Sequence, residues 1–159
     1  MRGQAATWNP YKNHNTIKSM VGISPRGQVT YVSDTYGGHA SDRQIIGRST
    51  LLDENKFEKK DSIMSDRGII VQDLFASKDV FVNTPTMLKG RNQLAPDTVI
   101  HDSRVASKRV HVDRVIHLAK TYKMLSNTID HAYTPLSGRI VYVCFMLCKF
   151  RPCIVNSQC

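Results

Sequence analysis

The residues of this chain with both the type and the placement to do chemistry are acids at the ends of short apolar segments. Asp66 follows Ser62-Ile63-Met64-Ser65, which reads as a strand, and precedes Arg67-Gly68, which reads as the turn after it, so its carboxylate would project from a sheet edge. Asp113 is the acid of a helical stretch that also holds Lys108, Arg109, His111 and Arg114. Two such carboxylates could share hard divalent cations and cut a phosphodiester, a reaction in which paired metals about 3.5 to 4 Å apart stabilise the attacking and leaving oxygens. Asp113 also has an ordinary structural role open to it, an ion pair with Arg109 one helical turn earlier, at i−4. Asp42 and Asp34 carry less weight. Asp42 would sit in the first turn of a helix and Asp34 beside a glycine turn, places where acids stabilise the backbone. His39 lies near both and has solvation as its bland alternative.

Other chemistries lack their signatures. The chain contains no Gly-x-Ser-x-Gly elbow, no phosphate-cradling loop ending in Lys-Ser/Thr, and no His-Glu-x-x-His. Cys144, Cys148, Cys153 and Cys159 crowd the end of the sequence. That placement cannot staple the whole chain as a secreted scaffold requires, and the gaps lack the C-x2-C pairs of structural zinc sites. A reducing compartment is expected. Met1 to Pro10 does not read as a signal peptide. The longest apolar run, Ile140 to Cys148, falls well short of the roughly 20 residues that a spanning helix needs, so no membrane partner is expected. With 159 residues and 41% hydrophobic content, one folding unit is expected. The balance of 22 Lys and Arg against 13 Asp and Glu, a formal charge of +9, favours a polyanionic partner, nucleic acid or an anionic surface.

The elements that must position the acids can be read in order. His14 to Ile23 and Gln28 to Asp34 flank Ser24-Pro25-Arg26-Gly27, which predicts a β-hairpin with a four-residue connection. Ser41 is placed to cap a short helix beginning at Asp42. Asp53 to Asp61 reads as a charged loop, Ser62 to Met64 and Asp79 to Val82 as short strands, and Lys89-Gly90-Arg91-Asn92 as an exposed basic loop. Pro96 to about Leu125 holds no later Gly or Pro and predicts the longest helix, its polar side bearing Arg104, Lys108, His111, Arg114 and Lys120. A loop from Asn127 to Gly138 then leads into an apolar helix from Arg139 to about Phe150. The order belongs to the mixed α/β class.

Read as words, the sequence resembles one family. Ala6-Thr7-Trp8-Asn9-Pro10-Tyr11-Lys12-Asn13-His14-Asn15-Thr16, Gly22-Ile23-Ser24-Pro25-x-Gly27, and Val32-Ser33-Asp34-x-Tyr36-Gly37-Gly38-x-x-Ser41-Asp42 are similar to the DDE superfamily endonucleases, the Harbinger-like transposases. The likeness continues through Asp61-Ser62-x-Met64-x-Asp66-Arg67-Gly68, Lys89-Gly90-x-x-Gln93-Leu94 and Arg109-Val110-His111-Val112-Asp113-Arg114-Val115-Ile116, and reaches the Val141 to Leu147 helix. The resemblance implies a ribonuclease-H-like mixed sheet with flanking helices, two divalent ions (Mg2+ or Mn2+), a DNA substrate and a nuclear location.

Its acid triad is Asp, Asp, Glu. The second acid corresponds to Asp66. The third corresponds to Asp113, where Glu is usual, and the missing methylene would set the carboxylate back by roughly 1.5 Å, a displacement to which metal geometry is sensitive. Asp42 is a weaker candidate ligand, and Lys89, Arg91, Lys108, His111 and Arg114 are the candidate DNA contacts. The family's first acid lies on a strand before the Ala6-Thr7-Trp8 word, and residues 1–5 hold no acid. The expectation is therefore one partial endonuclease domain over residues 1–155 with a tail at 156–159, lacking the first, central strand of its sheet. Impaired catalysis and self-association through exposed sheet edges follow from that expectation. The alternative is a domesticated DNA- or protein-binding module without nuclease activity.

Overall fold

A computed structural model of the chain describes residues 7–9, 14–53, 56–66, 68–86 and 95–151. The described residues form a mixed α/β structure of short paired strands and five α-helices, so the expected class stands. The chain divides into two compact units, Met1–Leu51 with His111–Cys159, and Leu52–Val110.

The first unit is built on the hairpin that Ser24-Pro25-Arg26-Gly27 predicts. Strands β1 (Trp8–Asn9) and β2 (His14–Asn15) pair antiparallel, as do β4 (Val21–Ile23) and β5 (Val29–Val32). The turn closes with the Gly27 N–H on the Ser24 carbonyl at 2.9 Å, and Gly27 has φ 79°, a left-handed conformation that glycine adopts without a Cβ penalty. The same two segments pair again farther from the turn, through β3 (Ile17–Lys18) and β6 (Tyr36–Gly37). The interruption between the two pairings is stitched by Ser33. Its buried hydroxyl accepts from the Met20 N–H at 2.9 Å and donates to the Asp34 carbonyl at 2.7 Å, while its own N–H donates to the Met20 carbonyl at 2.9 Å. Backbone groups that lose their ladder partners at an irregularity are thus paired by a side chain instead.

Thr16 joins three segments. Its N–H donates to the Thr7 carbonyl and its carbonyl accepts from the Gly38 N–H, both at 2.8 Å. Gly38 is buried there, and a side chain at this position would run into the Thr16 hydroxyl, the Thr7 carbonyl and the Asn9 side chain.

Helix α1 (Asp42–Arg48) starts as its sequence predicts. The Ser41 hydroxyl accepts from the Gln44 N–H at 3.2 Å and the Gln44 side chain returns to the Ser41 N–H at 3.0 Å, a capping box. Ile45 and Ile46 are its buried face. The core of this unit gathers Val29, Val115, Ala119, Val141, Phe145 and Cys148, with Ile17, Val21, Ile23, Val32 and Ile116 packed around them.

In the second unit, β7 (Ser62–Met64) and β8 (Phe81–Asn83) pair in parallel, with Ile63 opposite Val82. Parallel strands require a crossover. The stretch between them supplies it, including the short helix α2 (Gln72–Ala76), which has no capping side chain to announce it in the sequence. Phe75 on that helix is fully buried and meets the ring of Phe57 edge-on, 5.5 Å between centroids, with Val71 and Val80 also buried. The second strand begins later than Asp79 because Asp79 has φ 56° and ends the preceding helical turns, the Val80 N–H reaching back to the Phe75 carbonyl at 3.4 Å.

The longest helix, α3 (Pro96–Lys120), starts at the predicted proline. Residues through Val110 belong to the second unit and those from His111 to the first. In the first unit Val115 and Ala119 are its buried residues, and in the second Ile100 is exposed. The chain then forms α4 (Lys123–Ser126), a 3-10 segment over His131–Leu136, and α5 (Ser137–Leu147), which carries Val141, Cys144 and Phe145 into the core. Among the described residues, no helix is long and apolar enough to cross a membrane.

Candidate nuclease site

Asp66 stands two residues beyond β7, where the strand pairing ends. The Ser65 N–H still donates to the Asn83 carbonyl at 3.0 Å, extending the parallel ladder by one bond, and the Asp66 carbonyl then accepts from the Ile69 N–H at 3.0 Å to start the turn. The carboxylate is consequently held at the carboxyl end of a parallel strand, the edge at which open α/β sheets bind ligands. It is half-exposed, with 47% of its side-chain surface open to solvent. One oxygen, Oδ1, lies 2.9 Å from Nη1 of Arg109, whose side chain is 48% exposed and which belongs to the same unit.

This pairing bears on the alternative weighed for Asp113. Helical spacing offers Arg109 to Asp113 at i−4 as one alternative, whereas the structure gives its guanidinium to Asp66, on a distant stretch of chain. Asp113 lies in the first unit, exposed, and lines a shallow open depression with Arg114, His117 and Leu118. Asp42 is half-buried in the first turn of α1, in the place where an acid favours a helix. Asp34 and His39 are exposed. Among the described residues, no three His, Cys, Asp or Glu side chains come together as a group able to hold a metal ion.

The candidate DNA contacts fall into three sets. Lys108 and Arg114 are exposed on α3. His111 is half-buried, and its Nδ1 is fully covered with no hydrogen-bond partner among the described residues, so that side of the ring faces protein. Lys89 and Arg91 lie outside the described residues, as do residues 1–6, Arg67, Cys153, Cys159 and the tail at 156–159. Cys144 and Cys148 are buried free thiols, and burial raises both above the ordinary thiol value, with Arg151 opposing the rise at Cys148.

Residues 1–149 match the family described as DDE superfamily endonuclease, nearly the whole sequence. The chain belongs to the DDE superfamily endonucleases. No curated protein and no solved structure matches it. Divalent-metal chemistry on DNA is general to such nucleases. The donor type here fits it: carboxylates are the hard oxygen ligands that Mg2+ and Mn2+ take.

Proposed function

We propose that the chain is a transposon-derived, metal-dependent DNA endonuclease domain with a ribonuclease-H-like arrangement, in which Asp66 and Asp113 are the acids that hold Mg2+ or Mn2+. The carrying observation is the placement of Asp66, half-exposed at the carboxyl end of β7 in a chain that matches the family over residues 1–149. A metal held there would polarise the scissile phosphate and lower the pKa of a bound water. The residues of the chain supply oxygen donors through Asp66 and Asp113, with Asp42 a weaker third. Lys89, Arg91, Lys108, His111 and Arg114 supply positive charge for the phosphate backbone, which contributes affinity without sequence choice. The domain is proposed to span residues 1–155, and a nuclear location follows from a DNA substrate.

Cleavage is proposed to be impaired. Asp113 has the shorter side chain at the position where the family carries Glu, and Asp66 is engaged by Arg109. The second observation also favours a domesticated module that binds DNA or protein without cutting. One titration separates the readings: Mn2+ or Mg2+ is added to the purified chain while heat and nicking of supercoiled plasmid are followed, with Asp66→Ala as control. The nuclease reading expects metal binding and slow nicking, both lost in Asp66→Ala. Salt-dependent DNA binding with no metal-dependent nicking, unchanged in Asp66→Ala, selects the binding module.

A further inference from the structure

The guanidinium of Arg109 lies directly against the Asp66 carboxylate. Nη1 is 2.9 Å from Oδ1, and both side chains are about half-exposed, so the pair is open to ions from solution. A divalent ion binds carboxylate oxygen at about 2.0 to 2.6 Å. An ion seated on the same Oδ1 would therefore stand within a few ångströms of a tethered positive charge. Two like charges at such a distance repel even with solvent between them.

From this geometry we propose that Arg109 is the resident counter-ion of Asp66, which a metal must displace to enter the site. The inference rests on the reading of Asp66 as a metal ligand and adds a positioning residue to it. Arg109 neutralises the carboxylate in the metal-free chain, so metal affinity is set by competition with a tethered guanidinium and not by the carboxylate alone. Arg109 is on α3, one turn before Asp113.

The test uses the whole chain and a readout that does not depend on cleavage. Mn2+ binding is measured by water-proton relaxation in wild type, Arg109→Ala, Arg109→Gln, Asp66→Asn and the Asp66→Asn/Arg109→Ala double variant. Arg109→Gln keeps a long, helix-favouring side chain at an exposed position, so its fold is preserved. Removing the guanidinium is expected to tighten Mn2+ binding by about three- to fivefold at low salt. That factor corresponds to an exposed ion pair of up to about 1 kcal/mol, converted at 1.4 kcal/mol per tenfold. The gain is expected to shrink at high salt and to vanish in the Asp66→Asn background. If both Arg109 variants bind Mn2+ no more tightly than wild type while Asp66→Asn loses binding, the counter-ion role is overturned and the metal reading survives. If Asp66→Asn binds as wild type does, both fall.

Discussion

Gly38→Ala measures how tightly the three segments around Thr16 are joined. An added Cβ would run into the Thr16 hydroxyl, lie 2.8 Å from the Thr7 carbonyl oxygen and 3.1 Å from the Asn9 Cβ. The hydroxyl can rotate away. The carbonyl cannot, because it already accepts from the Thr16 N–H at 2.8 Å, and Thr16 in turn accepts from Gly38 itself. Gly38 is not in the left-handed region, so the cost is steric and not conformational. Overpacking of this kind costs about 1 to 3 kcal/mol, and strain on two backbone hydrogen bonds adds about 1 kcal/mol, for a total near 3 kcal/mol. At roughly 2 to 4 °C per kcal/mol for a chain of this size, the melting temperature should fall by about 6 to 12 °C.

Thermal melting by circular dichroism is the assay, with two controls. The Thr16 hydroxyl is buried without a hydrogen-bond partner among the described residues, so Thr16→Ala alone should cost little and should restore about 1 kcal/mol to Gly38→Ala. Gly47, in α1 with nothing within 4 Å of its would-be Cβ, should accept alanine with a gain of about 0.5 to 1 kcal/mol. A Gly38→Ala protein that melts within a degree of wild type would refute the steric argument.

Two further outcomes are expected. Burial raises the Cys144 and Cys148 thiols above their ordinary value of 9.0, so the folded state holds these protons more tightly than the unfolded chain does. Their contribution is complete below pH 9 and is lost as pH rises through the folded values, so wild type should lose more stability above pH 9 than Cys144→Ala/Cys148→Ala; parallel alkaline denaturation curves would reject this. The β7–β8 pair leaves Phe81 60% and Met64 37% exposed, although parallel strands are ordinarily covered on both faces. The chain is therefore expected to self-associate, and light scattering should report a mass above one chain that falls in Phe81→Lys; a wild-type mass of one chain at every concentration would count against it.

Local chemistry made parts of this structure legible in advance. Gly27 at a turn, Ser41 with Gln44 three residues on, and Pro96 opening a long Gly-free stretch each declare a backbone geometry through their own side chains, and each element forms where they indicate. What escaped the sequence depends on distant partners. Val71, the residue before α2, has no side chain to cap it, so that five-residue helix lacks a start signal, although Val71, Leu74 and Phe75 have helical spacing. The β3–β6 pairing was likewise hidden, because Gly37-Gly38 reads as the end of the hairpin until the Ser33 stitch is seen. At the site, the strand-end position of Asp66 was readable from Ser62 to Gly68. The partner of Arg109 was not, since helical spacing points to Asp113 and nothing local points to a carboxylate just beyond β7.

Asp66 also carries a historical meaning. A half-exposed ion pair contributes at most about 1 kcal/mol to folding, so the contact with Arg109 gives selection for stability little hold on the position. Gly38 and Phe75 are different: the fold itself enforces them, whatever the protein does. In a lineage that had given up cutting DNA, mutation would erode the carboxylate long before it touched the glycine or the ring. Retention of an acid at the end of β7 among descendants of this chain would therefore be a record of use, and its replacement a record of disuse, because folding is nearly indifferent to the choice.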